Sequence, residues 1–234
     1  MLKELPKCHY IKAVNVRHQF YLFFNDRSGG SINARKNDFA VHTWKPVSSI
    51  KDSVESYSLS AFMDRVYFIG GSRGKIRTPT KSCFYFDTET LEKKSIAKMN
   101  KARECAASCT FRGRVVVSGG TLDHPSIKLR TNEAYCHVSN EWTGMPKMIK
   151  GRSGHCLVQV ASRLYAFGGG SEEREVYDAF SDIFSVVKSP FADVGFKNVR
   201  GAFTAGEKIL IFMDNRSKVA VFDAEREEWT EEMF

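Results

Sequence analysis

The stretch VYFIGG occupies residues 66–71, and the related stretches VVVSGG and LYAFGG follow at residues 115–120 and 164–169. The spacing is 49 residues in both steps. A fixed period of this size indicates one folding unit that is copied along the chain. Because such a unit cannot bury its apolar face alone, we expect the copies to pack on one another and the loops to carry the function.

A second repeated feature is an aromatic residue seven positions before a bulky or aromatic one. It occurs in three pairs, which are Tyr135 with Trp142, Tyr177 with Phe184, and Phe222 with Trp229. The second copy keeps the first aromatic, Phe86, but has Lys93 in the second place, and Trp44 belongs to a degraded first copy. The sequence therefore predicts five copies, at approximately residues 8–50, 51–99, 100–148, 149–190 and 191–234.

Each copy has the pattern of four β-strands. The apolar run before each glycine pair is typical of a strand buried on both faces. Strand-like segments also lie upstream of it, at residues 106–111 and 155–160, and downstream, at residues 83–87, 133–137 and 218–223. The fourth strand carries the Trp position. Four antiparallel strands per copy predict an all-β chain of propeller blades.

The pattern of apolar strand, Gly-Gly, aromatic residue with acid, and Trp resembles the kelch repeat. Its positions in this chain are Gly70, Gly71, Gly119, Gly120, Gly168, Gly169, Trp44, Trp142 and Trp229. The resemblance implies one kelch-repeat propeller over residues 1–234, with buried Trp142 and Trp229 between blades. Kelch propellers commonly have six blades, but five copies predict five sheets. Closure then requires that the first and fifth copies meet, or that the chain is a fragment of a longer one.

The glycine pairs could also indicate a phosphate-binding loop. Neither G-x-G-x-x-G before a helix nor G-x-x-x-x-G-K-[ST] occurs, and a pair at a fixed period is better explained by positive φ and close packing between blades. We therefore predict that these glycines are structural and bind no cofactor.

The sequence contains no catalytic or metal-binding constellation. The six histidines are scattered, the six cysteines form no C-x-x-C pair, and there is no nucleophile elbow and no H-E-x-x-H motif. We predict a chain that is not an enzyme and that holds no metal. The N-terminal residues do not resemble a signal peptide and no apolar stretch has the length of a membrane span, so we predict a cytoplasmic location without membrane attachment.

The charged residues separate between the two edges of the predicted blades. The net charge is +8, and the turns between third and fourth strands are acidic, as at residues 223–228. The loops between second and third strands are assigned the cations Arg27, Arg35, Lys36, Arg73, Lys75, Arg77, Lys81, Lys128 and Arg130. Lys101 and Lys150 in the inter-blade segments add to this edge.

A basic edge of this kind predicts a protein partner with an acidic segment, attracted by interactions that weaken with salt. The alternative is that these residues are solvated loop charges, which contribute little to stability. Nucleic acid is a weaker candidate, because no series of stacking aromatics is interleaved with the lysines.

Two arginines recur one period apart, Arg103 in Ala102-Arg103-Glu104 and Arg152 in Gly151-Arg152-Ser153. Repetition favours a structural role in packing or bonding to the neighbouring blade, with ligand binding as the alternative.

The kelch resemblance implies a non-catalytic protein-binding module. In kelch-like proteins the propeller recruits a substrate to a cullin-type ubiquitin ligase, and a BTB domain with an adjoining helical segment contacts the ligase. Because this sequence opens almost at once with a strand, we expect it to bind a target but not to bridge it to a ligase. The alternatives are an actin or cytoskeleton-binding kelch protein and, less favoured, a propeller enzyme.

Overall fold

The computed structural model describes residues 9–26, 30–122, 127–187, 199–213 and 218–233. Every named element in these ranges is a β-strand, so the all-β prediction is confirmed. The described residues include no helix that is long and apolar enough to cross a membrane. The chain divides into two compact units, residues 1–104 and residues 105–234.

The first unit contains two four-stranded antiparallel sheets. The first sheet consists of β1 (His9–Val16), β2 (Gln19–Asn25), β3 (Ser31–Asp38) and β4 (Thr43–Lys51). The second begins with β5 (Ser58–Phe62) and β6 (Arg65–Ile69), after which a loop carries the two-residue strands β7 (Ser72–Arg73) and β8 (Thr78–Pro79). It is completed by β9 (Cys83–Asp87) and β10 (Lys93–Ile96).

The second unit contains three such sheets, with their strands in chain order. The third sheet consists of β11 (Ala107–Phe111), β12 (Arg114–Ser118), β13 (Asn132–Cys136) and β14 (Glu141–Met145). The fourth consists of β15 (His155–Val160), β16 (Arg163–Gly168), β17 (Arg174–Asp178) and β18 (Ile183–Val187). The fifth consists of β19 (Val199–Ala205), β20 (Lys208–Met213), β21 (Lys218–Asp223) and β22 (Glu228–Met233).

The described residues thus form five four-stranded antiparallel sheets, which confirms the predicted number and type of blade. The bounds of the copies and their assignment to one domain stay predictions.

Aromatic side chains from both sheets form the core of the first unit. Phe23 of β2 lies edge-to-face against Phe68 of β6, with ring centroids 5.1 Å apart, and Phe68 stacks on Phe84 of β9 at 4.5 Å. Val54, from the segment between the sheets, belongs to the same buried cluster. The alternation of side chains along a strand places these residues on one face of each sheet.

The second unit has two buried clusters, one on each side of the fourth sheet. In β16, Leu164 and Ala166 belong to the cluster shared with the third sheet, whereas Tyr165 and Phe167 belong to the cluster shared with the fifth. Both faces of this strand are therefore buried. This explains the continuous apolar run before the glycine pair.

At the glycine pairs of the second and third sheets, each sheet is hydrogen-bonded to the segment that connects it to the next sheet. Gly119 has a φ of +60°, and a Cβ atom there would lie 2.4 Å from the carbonyl oxygen of Arg152. The Gly120 amide donates a hydrogen bond to that same oxygen at 2.8 Å. Gly71 donates to the Arg103 carbonyl at the same distance, 2.8 Å. The backbone geometry supports the structural interpretation of these glycines.

Arg152 is fully buried and links the segment before the fourth sheet to β17. Its Nη2 atom lies 2.9 Å from Glu175 Oε1, and its Nη1 atom donates to the Gly168 carbonyl at 2.7 Å. The other carboxylate oxygen of Glu175 accepts a hydrogen bond from the Ile149 amide. The predicted structural role is confirmed for Arg152. Arg103 is likewise fully buried.

The first unit contains an apolar version of the same junction. Val54 lies two periods of 49 residues before Arg152. Phe68 and Ala166 are equivalent positions, also two periods apart. Phe84 is the cross-strand partner of Phe68, and Glu175 is the cross-strand partner of Ala166, so Phe84 is the counterpart of Glu175. Val54 and Phe84 share one buried cluster. The fold therefore accepts either a buried ion pair or two apolar side chains at this position.

The tryptophan positions differ in burial. Trp142 and Trp229 are buried and Trp44 is half-buried. Trp229 packs on Phe222 with ring centroids 4.6 Å apart and meets Phe167 of the fourth sheet edge-to-face at 6.2 Å. The predicted packing between blades is thus confirmed for Trp229.

We expect Trp229→Ala to lower the free energy of unfolding by about 3–5 kcal/mol, because it leaves a cavity between the fourth and fifth sheets. Urea unfolding followed by circular dichroism measures this difference. Phe180→Ala is the control, because Phe180 is 83% exposed and its removal is expected to change stability by less than about 0.5 kcal/mol. Equal effects of the two substitutions would contradict the assignment of Trp229 to the core.

We expect Arg152→Val alone to cost about 3–5 kcal/mol, because it leaves the Glu175 carboxylate buried without its cation. The double variant Arg152→Val with Glu175→Phe copies the junction of the first unit and is expected to recover at least half of that loss. Urea unfolding midpoints of the three proteins provide the comparison. A double variant as unstable as the single one would show that the two junctions are not equivalent.

Candidate functional site

The loops between the second and third strands are built alike in the second and third sheets. Loop 70–82 contains the β7–β8 hairpin, and loop 119–131 contains a bridge between Thr121 and Lys128. Each loop then runs back beside the segment that follows its sheet. The Met99 amide donates to the Lys81 carbonyl at 3.0 Å, and the corresponding bond 49 residues later joins Met148 to Arg130 at 2.9 Å.

Three exposed cations therefore recur in each unit at equivalent positions. The first basic cluster is Lys81, Lys98 and Lys101, and the second basic cluster is Arg130, Lys147 and Lys150. Four of these residues belong to the basic edge predicted from the sequence, and the other two, Lys98 and Lys147, do not. The period of 49 residues, applied to every lysine, would have identified both.

In the second unit, some of the basic side chains also bond within the protein. Arg130 Nε donates to the Met148 carbonyl at 2.6 Å, and Lys150 lies 3.7 Å from the exposed Glu173. Lys128 is half-buried and its ammonium donates to the Gly169 carbonyl at 2.9 Å. Lys128 therefore ties the loop of the third sheet to the fourth sheet.

Arg73 has a structural role in addition to its place on the predicted basic edge. Its guanidinium lies 2.6 Å from Asp52 Oδ1, and the ammonium of Lys93 lies 2.5 Å from Asp52 Oδ2. Lys93 also sits over the ring of Phe84 at 4.5 Å. Lys93 thus replaces the aromatic of other copies with a cation that pairs with Asp52. The assignment of Arg73 to a partner-binding basic edge stays a prediction.

The tip of the β7–β8 hairpin carries the most exposed side chains of this loop. Lys75 is exposed and Ile76 is 89% exposed. Arg77 donates from Nη2 to Ser56 Oγ at 2.7 Å and lies 3.8 Å from Glu104. Arg77 therefore attaches the tip of the hairpin to Ser56 and Glu104, and Lys75 and Ile76 beside it are exposed to solvent.

Two of the predicted loop cations lie in a strand. Arg35 and Lys36 belong to β3, where they pair with Leu22 and Tyr21 of β2. Their assignment to the loop between second and third strands is wrong, because β3 begins at Ser31 and continues to Asp38. Arg27 lies outside the described residues.

The acids at the opposite ends of the strands have a local structural role. Asp178 Oδ1 accepts hydrogen bonds from the amides of Phe180 at 2.8 Å and Ser181 at 3.0 Å, and Asp223 accepts two in the corresponding turn. These bonds hold the pKa of the Asp178 carboxyl below its ordinary value. The acid after the repeated aromatic residue is therefore a turn cap.

No group of three or more His, Cys, Asp or Glu side chains that could hold a metal ion occurs among the described residues.

Asp52, in the segment between the first and second sheets, is a buried carboxylate with several bonding partners. Its side chain is 3% exposed, and its Oδ1 atom also accepts a hydrogen bond from the Val54 amide at 3.0 Å. Burial alone would raise the pKa of this carboxyl, but the hydrogen bonds from Arg73 and Lys93 outweigh burial and lower the pKa below 3.8. A lowered pKa in the folded state means that the charged form stabilises the fold.

We expect Asp52→Asn to destabilise the protein at neutral pH by about 1–3 kcal/mol, because two cations lose their shared carboxylate. The difference from wild type should be fully present above the ordinary carboxyl pKa and should shrink as the pH falls below it. Urea unfolding between pH 7 and pH 2.5 tests this dependence. Glu141→Gln, at an exposed carboxylate, should show no such trend, and a difference for Asp52→Asn that is constant with pH would contradict the assignment.

Comparisons with known proteins agree with the repeat and the sheets. A family model described as Kelch motif matches residues 102–149. Kelch-like protein 40 of Mus musculus is 31% identical over 126 residues, which cover 54% of this chain and 20% of that protein. Kelch-like protein 25 of Xenopus tropicalis is 29% identical over 137 residues, which cover 56% and 23%.

The matching region therefore spans only about a fifth of the length of these relatives. The matched motif contains the third sheet, its glycine pair and Trp142. Together with the five four-stranded antiparallel sheets, the matched motif shows that the chain is similar to kelch-repeat proteins and contains a kelch motif.

Proposed function

We propose that the first and second basic clusters bind acidic segments of a protein partner. The observation that carries this proposal is the recurrence of three exposed cations at equivalent positions in the two units. The buried carboxylates of Asp52 and Glu175 are bound to other cations, Asp52 to Arg73 and Lys93, and Glu175 to Arg152. Exposed cations that recur in this way attract an acidic partner and accelerate its association.

The kelch resemblance supports a finer proposal about the biological class of the partner. Propellers of kelch-like proteins recruit substrates to cullin-type ubiquitin ligases, and we infer that this chain recognises such a substrate in the cytoplasm. Recognition would be non-catalytic, with the repeated backbone holding the basic clusters and their side chains selecting the acidic segment. The exposed Ile76 at the tip of the hairpin adds an apolar contact beside Lys75.

Binding to actin filaments is the second candidate, and the same cations favour it, because a basic surface complements an acidic filament. Co-sedimentation with filaments distinguishes the two. A chain that sediments with actin at physiological salt, and loses this property with Lys98 and Lys147 reversed, would support the cytoskeletal function over substrate recruitment.

The charge reversal Lys98→Glu with Lys147→Glu tests the role of both clusters. We expect it to lower the rate of association with a fluorescent glutamate-rich peptide by about tenfold and to flatten the salt dependence, because steering charges act mainly on encounter. The melting temperature should change little, since exposed charges contribute little stability. Stopped-flow fluorescence and thermal unfolding provide the two measurements.

Lys94→Glu with Lys208→Glu is the matched control. It reverses the same number of exposed charges, but these lie at the ends of the strands opposite the loops that carry the clusters. An equal effect of the two double variants would show that net charge alone drives the association. A peptide whose binding is indifferent to salt and to both variants would overturn the proposal.

A further inference from the structure

A cleft of about 450 Å³ lies between the third and fourth sheets. It opens beside the turn after β11 and the turn after β17, at the end of the third sheet opposite the loop that carries Arg130. Its lining includes Phe111, Arg112, Arg114, Val116, Ala134 and Tyr177. The volume lies within the range of small-molecule pockets, about 300–1,000 Å³. All of its walls belong to the second unit.

The second sheet shows what the repeat places at the equivalent position. Tyr67 of β6 and Tyr85 of β9 form a cross-strand pair, with ring centroids 5.8 Å apart. The guanidinium of Arg65 lies over the Tyr85 ring at 4.4 Å and hydrogen-bonds to the Tyr67 side chain. An arginine thus covers one phenol and bonds to the other, an arrangement stabilised by cation–π attraction.

The third sheet keeps the arginine and loses both phenols. Val116 and Ala134 form the cross-strand pair that corresponds, 49 residues later, to Tyr67 and Tyr85. Arg114 takes the place of Arg65, and its Nη1 atom donates a hydrogen bond to the Thr143 hydroxyl at 3.4 Å. Small side chains therefore open the cleft in the space where the second sheet carries aromatic rings.

In the fourth sheet the equivalent arginine, Arg163, has carboxylate partners. Arg163 lies 3.2 Å from Asp178 and 3.0 Å from Glu227, and the neighbouring Tyr165 ring packs on Phe222 at 5.5 Å. Among the described residues Arg114 forms no salt bridge of this kind. Of the three equivalent arginines, Arg114 alone has neither a carboxylate nor a phenol as its described partner.

The remaining walls of the cleft suit an aromatic ring. Phe111 and Tyr177 meet edge-to-face at 5.9 Å, and with Val116 and Ala134 they make an apolar floor. At the mouth of the cleft, the Tyr177 hydroxyl donates a hydrogen bond to Asp182 at 2.7 Å. This bond occupies one oxygen of the Asp182 carboxylate. Arg112 and Arg114 leave the mouth cationic, which favours a ring that carries an electron-rich hydroxyl group.

We propose that this cleft binds a phenolic ring, the tyrosine side chain of a partner polypeptide, beneath the guanidinium of Arg114. The ring would take the place that Tyr85 takes under Arg65, and its hydroxyl would accept a hydrogen bond from the guanidinium. This site is independent of the two basic clusters, because it lies at the other end of the strands and involves none of their residues.

N-acetyl-tyrosinamide is the probe, titrated into the ¹⁵N-labelled chain and followed by amide chemical shifts. We expect saturable shifts at Ala134, Thr143 and Gly144, and none of comparable size with N-acetyl-leucinamide. Ala134→Tyr restores the residue that the second sheet carries, so it should fill the cleft and weaken binding at least tenfold. Ala40→Tyr, the same exchange in an exposed turn, should leave binding unchanged.

Arg114→Ala is a second variant, at an exposed residue, for use if Ala134→Tyr fails to fold. It removes the cover of the ring and should weaken binding at least threefold while the melting temperature stays near that of wild type. The proposal is overturned if tyrosinamide causes no saturable shifts, if leucinamide produces the same shifts, or if a folded Ala134→Tyr variant binds as well as wild type.

Discussion

The hydrogen bond from the Gly120 amide to the Arg152 carbonyl, with its counterpart between Gly71 and Arg103, is the constraint on which the repeat depends. A side chain at Gly119 would occupy the space of that carbonyl, so the segment between sheets can approach only where glycine stands. The hydrogen bond fixes the position of the segment between sheets, so the residues beside Arg103 and Arg152 have little conformational freedom. The basic clusters recur at equal spacing because the backbone that carries them is attached in the same way twice.

The backbone is alike at equivalent junctions, but the buried side chains that fill those junctions differ between copies. One junction buries Arg152 with Glu175, and the corresponding junction of the first unit buries Val54 with Phe84. A buried ion pair gains its attraction at the cost of desolvation, so exchange for apolar side chains can be close to neutral. Such exchanges leave the fold intact and allow neighbouring positions to diverge.

Differences between copies at equivalent positions produce local features that the other copies lack. Where the second sheet fills the space beneath an arginine with Tyr67 and Tyr85, the third has Val116 and Ala134 and an open cleft. Where other copies place an aromatic, the second has Lys93, which joins Arg73 in holding Asp52. Functional surfaces in a repeat protein are therefore best found by asking which copy departs from its neighbours, and what the departure leaves exposed.

The sequence by itself determined the number and type of the sheets and the packing of Trp229 between two of them, and it predicted structural roles for the glycine pairs and for Arg152. These features follow from local patterns, namely periodicity, alternation and turn residues, and the repeat multiplied each signal. Only the tertiary structure decided which charged side chains pair within the protein and which are exposed to solvent. Asp52 meets Arg73 and Lys93 across 21 and 41 residues of chain, and no local pattern encodes such a pairing.

The same reason explains the error at Arg35 and Lys36 and the absence of the cleft from the sequence-based view. The early start of β3, at Ser31, places both cations in a strand, and single-sequence patterns locate strand ends poorly. The cleft depends on small side chains from two strands lying opposite one another and on an arginine left above them. Cross-strand register determines that arrangement, and register between distant segments is a property of the folded chain.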